Sequence, residues 1–119
     1  DVCSSDLRWG GGIWINTWDM ARFGYLWLRG GKWGEKQIIP ADYVKAALTP
    51  SAHGPDYGYL FWLNTQQKNF PGLATNVFGA RGAGSNAIAV SPDHDLVIVW
   101  RWHAGNETEF LKRVIAAIR

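Results

Sequence analysis

Apolar side chains recur along the chain at two spacings, one typical of helices and the other of strands. Helical spacing predicts three helices, over residues 18–29, 40–48 and 106–118. Asn16 or Thr17 can cap the first helix, because either side chain accepts a hydrogen bond from a free backbone N–H. The second helix begins at a proline, which suits the first turn of a helix.

The last helix has one apolar face, which requires another element to cover it. Asn106 and Glu109 have the spacing of a capping box at its start. A helix with such a face packs against a sheet in a two-layer fold. The apolar stripe consists of Phe110, Leu111, Val114, Ile115 and Ile118.

Strand signals fill the middle of the chain. The run YGYLFWLN, residues 57–64, predicts a buried strand, and three further strands are expected over 77–81, 86–90 and 96–102. A short hairpin is expected around Gly34. Strands joined by short turns pair antiparallel, so the prediction is an α+β fold, an antiparallel sheet flanked by helices. The sheet is expected to be incomplete, with an unpaired edge and uncovered apolar surface.

The composition of the chain excludes several classes of function. The chain has 119 residues, 47% of them hydrophobic and 18% charged, which allows one globular domain at most. A net charge of +2 with scattered basic residues argues against nucleic acid as a partner, and no apolar run approaches the length of a membrane span. The three histidines lack the spacing of a metal site, so no metal is expected. Most of the eight tryptophans are expected in the core, and the best candidates for cleft walls are Trp14, Trp62 and Trp102.

Residues 1–7, DVCSSDL, show no periodicity and contain the one cysteine. The codons GAC GTG TGC TCT TCC GAT CTN encode this string, which resembles a translated sequencing-library adapter. We therefore expect residues 1–7 to be non-native and residues 8–119 to be the native part of the domain; the alternative is a native N-terminus without regular structure. Cys3 is not a candidate nucleophile or metal ligand, and no targeting signal can be read, so the localisation is unknown.

The segment FGARGAG, residues 78–84, places three glycines in a turn after a predicted strand. A phosphate loop would continue with Lys and Ser or Thr at the start of a helix, whereas this chain continues with another strand. Two interpretations remain open. The turn either brings backbone N–H groups to an oxyanion that forms during acyl transfer, or is a tight bend at a sheet edge.

The ordered set GGGIW, TWDMARFG, GKWG with IIP, YGYLFW, FGARGAG and PDHDLVIV resembles one family. It is similar to the C-terminal part of the serine β-lactamase and penicillin-binding-protein-like hydrolases, in the class C branch with esterases and small-amide hydrolases. The resemblance runs from about Gly10 to the C-terminus. It implies a serine hydrolase without cofactors that acts on a small-molecule ester or amide, and a periplasmic or secreted location would fit the family.

The resemblance also implies which catalytic parts this chain has and lacks. The family's nucleophile lies in Ser-x-x-Lys and a proton-transfer tyrosine in Tyr-x-Asn, and this sequence contains neither motif. The chain is therefore expected to be a C-terminal fragment that is inactive alone. Two noncatalytic alternatives stay open: a binding module that uses aromatic residues, and a relative that has lost its nucleophile.

The family's third motif, Lys-Thr-Gly, corresponds to Ala80, Arg81 and Gly82 in this sequence. The resemblance implies that the N–H of Ala83 helps to bind the oxyanion, with Gly84 completing the run of small residues. Ala80 replaces the usual cation, which favours ester or amide substrates over penicillins. Arg81 either offers its charge to a substrate carboxylate or is a solvated or ion-paired strand residue.

Overall fold

The computed structural model of this chain describes residues 15–103 and 105–118. The predictions for residues 1–7, Cys3 and Trp14 lie outside these residues. Three helices are present, α1 (Thr17–Leu28), α2 (Ala41–Ala47) and α3 (Glu107–Ala117). The strands are β1 (Lys32–Trp33), β2 (Lys36–Gln37), β3 (Trp62–Leu63), β4 (Phe78–Gly82), β5 (Asn86–Ser91) and β6 (Leu96–Trp100).

The main sheet has four antiparallel strands in the order β3-β4-β5-β6, and β1 and β2 form the separate hairpin expected around Gly34. Gly82 pairs with Asn86 across the β4–β5 hairpin, and Ala87 pairs with Trp100 between β5 and β6. The predicted α+β class, an antiparallel sheet flanked by helices, is confirmed. None of the helices in the described residues is long and apolar enough to span a membrane.

Helix α1 packs closely on one face of the sheet. Gly24 permits this approach, because a Cβ on it would lie 2.6 Å from Val97 Cγ1 and 2.8 Å from Ile88 Cγ2. Asn16 caps the helix by accepting a hydrogen bond of 2.8 Å from the N–H of Asp19. The buried residues of this first cluster are Met20, Trp27, Val44, Ala47, Phe61, Leu63, Phe78, Ile88 and Val90.

The other face of the sheet is covered by α3 and the loop that leads into β4. Alternate residues of β5 separate the two faces, since Ile88 packs in the first cluster and Ala87 in the second. The predicted apolar stripe of α3 is confirmed for Phe110, Leu111 and Val114, which belong to or pack against the second cluster. Ile118 follows the helix and is exposed. The second cluster consists of Phe70, Val77, Ala87, Ala89, Ile98, Trp100 and Leu111.

The predicted strand over residues 57–64 is wrong in its extent. Pairing with β4 is confined to Trp62 and Leu63, and the chain before them folds back so that Tyr57 bridges to Trp62. The reversal occurs at Leu60, which has a left-handed φ of +62° and is 80% exposed. A continuous apolar run does not report such a reversal, because the residues on both sides of it are apolar too.

The expectation that most tryptophans lie in the core is also wrong for the described residues. Trp27 and Trp100 are buried. β6 ends two residues earlier than predicted, and Trp102 beyond it has a left-handed φ of +56°. The exposed tryptophans are Trp18, Trp33, Trp62 and Trp102.

Candidate functional site

The glycine-rich turn is the hairpin between β4 and β5. Gly82 is the last residue of β4, and Gly84 and Ser85 both have left-handed φ angles, +73° and +57°. Glycine adopts this conformation without steric cost, which explains the glycine at position 84. The side chain of Asn86 closes the turn by donating a 2.7 Å hydrogen bond from Nδ2 to the carbonyl oxygen of Ala83.

The backbone of this turn is accessible. Gly82, Ala83 and Gly84 are all exposed. A Cβ placed on Gly82 would meet no atom nearer than the Asn86 carbonyl oxygen at 3.8 Å. Among the hydrogen bonds of the described residues, none uses the N–H of Ala83 as a donor. The turn therefore offers an exposed residue whose backbone N–H has no hydrogen-bond partner among the described residues, as an oxyanion site requires.

Ala80 and Arg81 point to opposite faces of β4. The Ala80 methyl group packs against the first core cluster, at the position where the resemblance expects a cation. The outer edge of β4 is paired with β3 through Phe78 and Gly79 alone, so Ala80 to Gly82 have no strand partner on that side among the described strands. This segment of strand edge keeps backbone groups free for an extended ligand.

Arg81 is held by charge and by aromatic rings. Its Nε lies 3.0 Å from Glu107 Oε2 in the first turn of α3, and its Nη2 donates to the Asn69 carbonyl oxygen at 3.0 Å. The guanidinium carbon lies 4.7 Å from the centre of the Phe70 ring and 5.5 Å from that of the Trp62 ring. The Glu107 carboxylate thus occupies the position at which a substrate carboxylate would contact the Arg81 guanidinium.

Two of the predicted cleft-wall tryptophans lie beside β4. Trp62 pairs with Gly79, and its ring makes an edge contact with Tyr57 at 5.0 Å between centroids. Trp102 lies over the turn, because a Cβ on Gly84 would overlap its ring. The predicted site residues and these two tryptophans therefore share one region of the sheet.

A groove of about 370 Å³ lies elsewhere, near the start of β4. Phe78 is the one residue of β4 that lines it, and Gly82 ends the same strand. A strand rises about 3.3 Å per residue, so the groove and the turn are roughly 13 Å apart. The groove also includes Leu48, Leu63, Thr65, Thr75, Asn76, Val77 and Pro92.

The histidines do not gather into a site. His94 lies in the 3-10 turn between β5 and β6, with Nδ1 2.9 Å from Ser91 Oγ, and the His103 ring packs 5.7 Å from that of Phe110. His53 lies in a loop. Within residues 15–103 and 105–118, no three His, Cys, Asp or Glu side chains are grouped as metal ligands.

Asn64 is a structural residue that sequence reasoning missed. Its side chain is fully buried; Nδ2 donates to the carbonyl oxygens of Phe70 and Ala74 at 2.9 and 3.0 Å, and Oδ1 accepts from the Phe70 N–H at 2.9 Å. These bonds hold the loop that places the Phe70 ring beneath Gly79 and Arg81. The available signal was a polar residue at the end of an apolar run, directly before a turn-rich segment.

The fold and the geometry of the turn can be compared with known proteins. No protein-family model and no curated protein matches this chain. Its α+β arrangement matches part of a β-lactamase-like fold. One similar solved structure is described as "Putative 6-aminohexanoate-dimer hydrolase from Bacillus anthracis", with 23% sequence identity and a TM-score of 0.59. The match covers 84% of this chain and 27% of that one, so the chain spans about a quarter of its neighbour's length.

Proposed function

We propose that this chain is the C-terminal part of a serine hydrolase that cleaves an ester or amide through an acyl-enzyme. The observation that carries the proposal is the exposed turn at the end of β4, where the N–H of Ala83 donates no hydrogen bond to the described residues. The similar fold, one solved example of which is described as a "Putative 6-aminohexanoate-dimer hydrolase", supports the same class of chemistry. Two such units condense through an amide, which agrees with the substrate class expected from Ala80.

In the proposed reaction, a serine supplied by the rest of the domain adds through Oγ to the substrate carbonyl carbon, and the carbonyl oxygen becomes an oxyanion. The Ala83 N–H donates a hydrogen bond to that oxygen. Collapse of the tetrahedral intermediate expels an alcohol or amine, which takes up the serine proton. Water then attacks the acyl-enzyme, releases the acid and restores the serine. Because this chain has no Ser-x-x-Lys, it forms no acyl-enzyme alone.

The residues of the motif have separate proposed roles. Gly82 leaves the space beside its own backbone open, Gly84 allows the left-handed turn next to Ala83, and the backbone of Ala80 lies at the strand edge where the substrate would lie. Arg81 remains a candidate for contact with the substrate, in competition with Glu107 for the same charge.

The test begins with recovery of the gene upstream of residue 8 and expression of the complete protein. We expect an in-frame Ser-x-x-Lys and Tyr-x-Asn, and hydrolysis of members of a panel of p-nitrophenyl esters and p-nitroanilides. Gly82→Val should then lower kcat by about a hundredfold to a thousandfold, the usual effect of losing one oxyanion donor. A Cβ at position 82 meets nothing within 3.4 Å, so the first atom of the new side chain fits, and the melting temperature of the variant checks that the protein still folds.

Gly54→Val is the matched control, because a Cβ on Gly54 meets nothing within 4 Å and Gly54 lies outside the motif. It should leave both kcat and the melting temperature unchanged. Wild-type turnover by a folded Gly82→Val protein would exclude Ala83 as the oxyanion donor. Absence of the two upstream motifs would make the protein a noncatalytic relative and the turn a simple bend.

A further inference from the structure

Trp102 contacts the turn that carries Ala83, although it belongs to the segment after β6. Trp100 pairs with Ala87 on β5, so the residues that follow β6 reach the same end of the sheet as the β4–β5 hairpin. The six-membered ring of Trp102 occupies the space that a Cβ on Gly84 would need. Glycine at position 84 therefore serves both the left-handed backbone and the contact with Trp102.

The Trp102 side chain is kept outside the core. It is 71% exposed, whereas Trp100, two residues earlier, is 6% exposed and packs with α3. A left-handed φ of +56° at Trp102 breaks the alternation of β6 and redirects the chain. Bulky residues rarely adopt this conformation, and such strained residues concentrate at functional sites.

We propose that Trp102 is a specificity-determining residue that contacts the apolar acyl group of the substrate. The proposal rests on the proposed function, because it needs the carbonyl oxygen to bind at the Ala83 N–H. Gly84 follows Ala83 directly and supports the Trp102 ring, so a group attached to the bound carbonyl carbon lies within reach of that ring. Small-molecule sites combine a few placed polar donors with apolar or aromatic walls. The preferred substrates would be esters or amides of acids with an aromatic or branched aliphatic group.

The kinetic test uses the complete protein and two esters, p-nitrophenyl phenylacetate and p-nitrophenyl acetate. Trp102→Ala should lower the ratio of their kcat/KM values by about tenfold, the size expected when an apolar pocket loses one wall. Trp102→Phe keeps an aromatic ring and should retain most of the preference. Trp18→Ala is the matched control, because Trp18 is 76% exposed and lies on α1, so its truncation removes a similar surface away from the turn.

A binding test on the 119-residue chain separates failure of this inference from failure of the proposed function. Phenylacetamide, compared with acetamide, should shift the amide NMR signals of Gly82 to Gly84, and the shifts should vanish in Trp102→Ala. Trp102→Leu replaces the alanine variant if the latter does not fold.

An unchanged kcat/KM ratio in a folded Trp102 variant would overturn the inference while leaving the hydrolase intact. If the complete protein hydrolyses no ester or amide, the proposed function fails. The NMR binding experiment alone then tests the inference about Trp102. Shifts that depend on Trp102 would then support an aromatic-binding wall, and absence of shifts in the wild type would overturn it.

Discussion

Arg81 Nε lies 3.0 Å from Glu107 Oε2, and this ion pair joins the strand of the glycine-rich turn to the first turn of α3. The two side chains are 26% and 25% exposed, so the pair is shielded from water more than an ordinary surface pair. The Phe70 ring lies against the same guanidinium. The contact therefore links β4, α3 and the loop between β3 and β4.

Glu107→Gln should destabilise the chain by about 1–3 kcal/mol, because Arg81 would keep a partly buried charge without its carboxylate. Urea unfolding measures the change. Glu109→Gln is the control, since Glu109 also lies in the first turn of α3 but forms an exposed pair with Arg113. Glu109→Gln should lower the free energy of unfolding by a clearly smaller amount. Equal losses in the two variants would mean that shielding of the Arg81 pair adds nothing.

Alanine substitution should change the stability of the chain in opposite directions at two glycines of the FGARGAG segment. A Cβ on Gly79 would lie 2.5 Å from the Ile88 carbonyl oxygen and 3.2 Å from Phe70 Cζ, whereas one on Gly82 has its nearest neighbour at 3.8 Å. Gly79→Ala should therefore cost about 1–3 kcal/mol of stability through overpacking. Gly82→Ala should be neutral or stabilise by up to about 1 kcal/mol, because it restricts the unfolded chain. Thermal unfolding of both variants checks the contrast, which fails if Gly79→Ala is as stable as Gly82→Ala.

Asn64→Ala should lower the unfolding free energy by about 2–4 kcal/mol, because it leaves the carbonyl oxygens of Phe70 and Ala74 without their buried donor. Denaturant unfolding gives the value. Asn76→Ala is the control, since Asn76 Nδ2 donates to the exposed Asp93 carboxylate. A loss at position 64 no larger than that at position 76 would show that the loop does not depend on Asn64.

The Arg113 guanidinium holds the pKa of Glu109 below its ordinary value of 4.5, first through a hydrogen bond to the carboxylate and then through its charge. A pKa lowered by folding means that the pair stabilises the chain fully above the unfolded pKa and loses this effect as the pH falls through the folded pKa. Arg113→Gln should therefore raise the pKa of Glu109, as measured by NMR titration of its carboxyl carbon. Lys112→Gln, which removes a charge with a smaller effect on this carboxylate, should raise the pKa of Glu109 less. An unshifted pKa in Arg113→Gln would contradict the assignment of the cause.

The elements with local signals were predicted well. Helix α1 differs from its predicted bounds by one residue at each end, and Asn16 was one of its two expected caps. The β1–β2 hairpin also follows from residues close together in the chain. Asn106 caps α3 as predicted through the Glu109 N–H, but the Glu109 carboxylate bonds to Arg113 rather than closing a capping box.

The sequence predicted which segment forms the candidate site, but not which residues from other elements surround it. FGARGAG was recognised from its glycines and from its order among other motifs. The Glu107 carboxylate beside Arg81, the Trp102 ring over Gly84 and the buried Asn64 could not be read from spacing. Each depends on which residues meet after the sheet has formed, and the sequence pattern reports only which side of an element is apolar.

By itself, the sequence determined the helices, the turns, the strand order along the chain and the α+β class, because periodicity, capping and turn chemistry act over a few neighbouring residues. Only the tertiary structure decided where the apolar run before Leu63 reverses and which tryptophans are exposed. At Leu60 and Trp102 the chain turns through left-handed φ angles, which bulky residues rarely adopt, so local residue preference does not predict the change of direction.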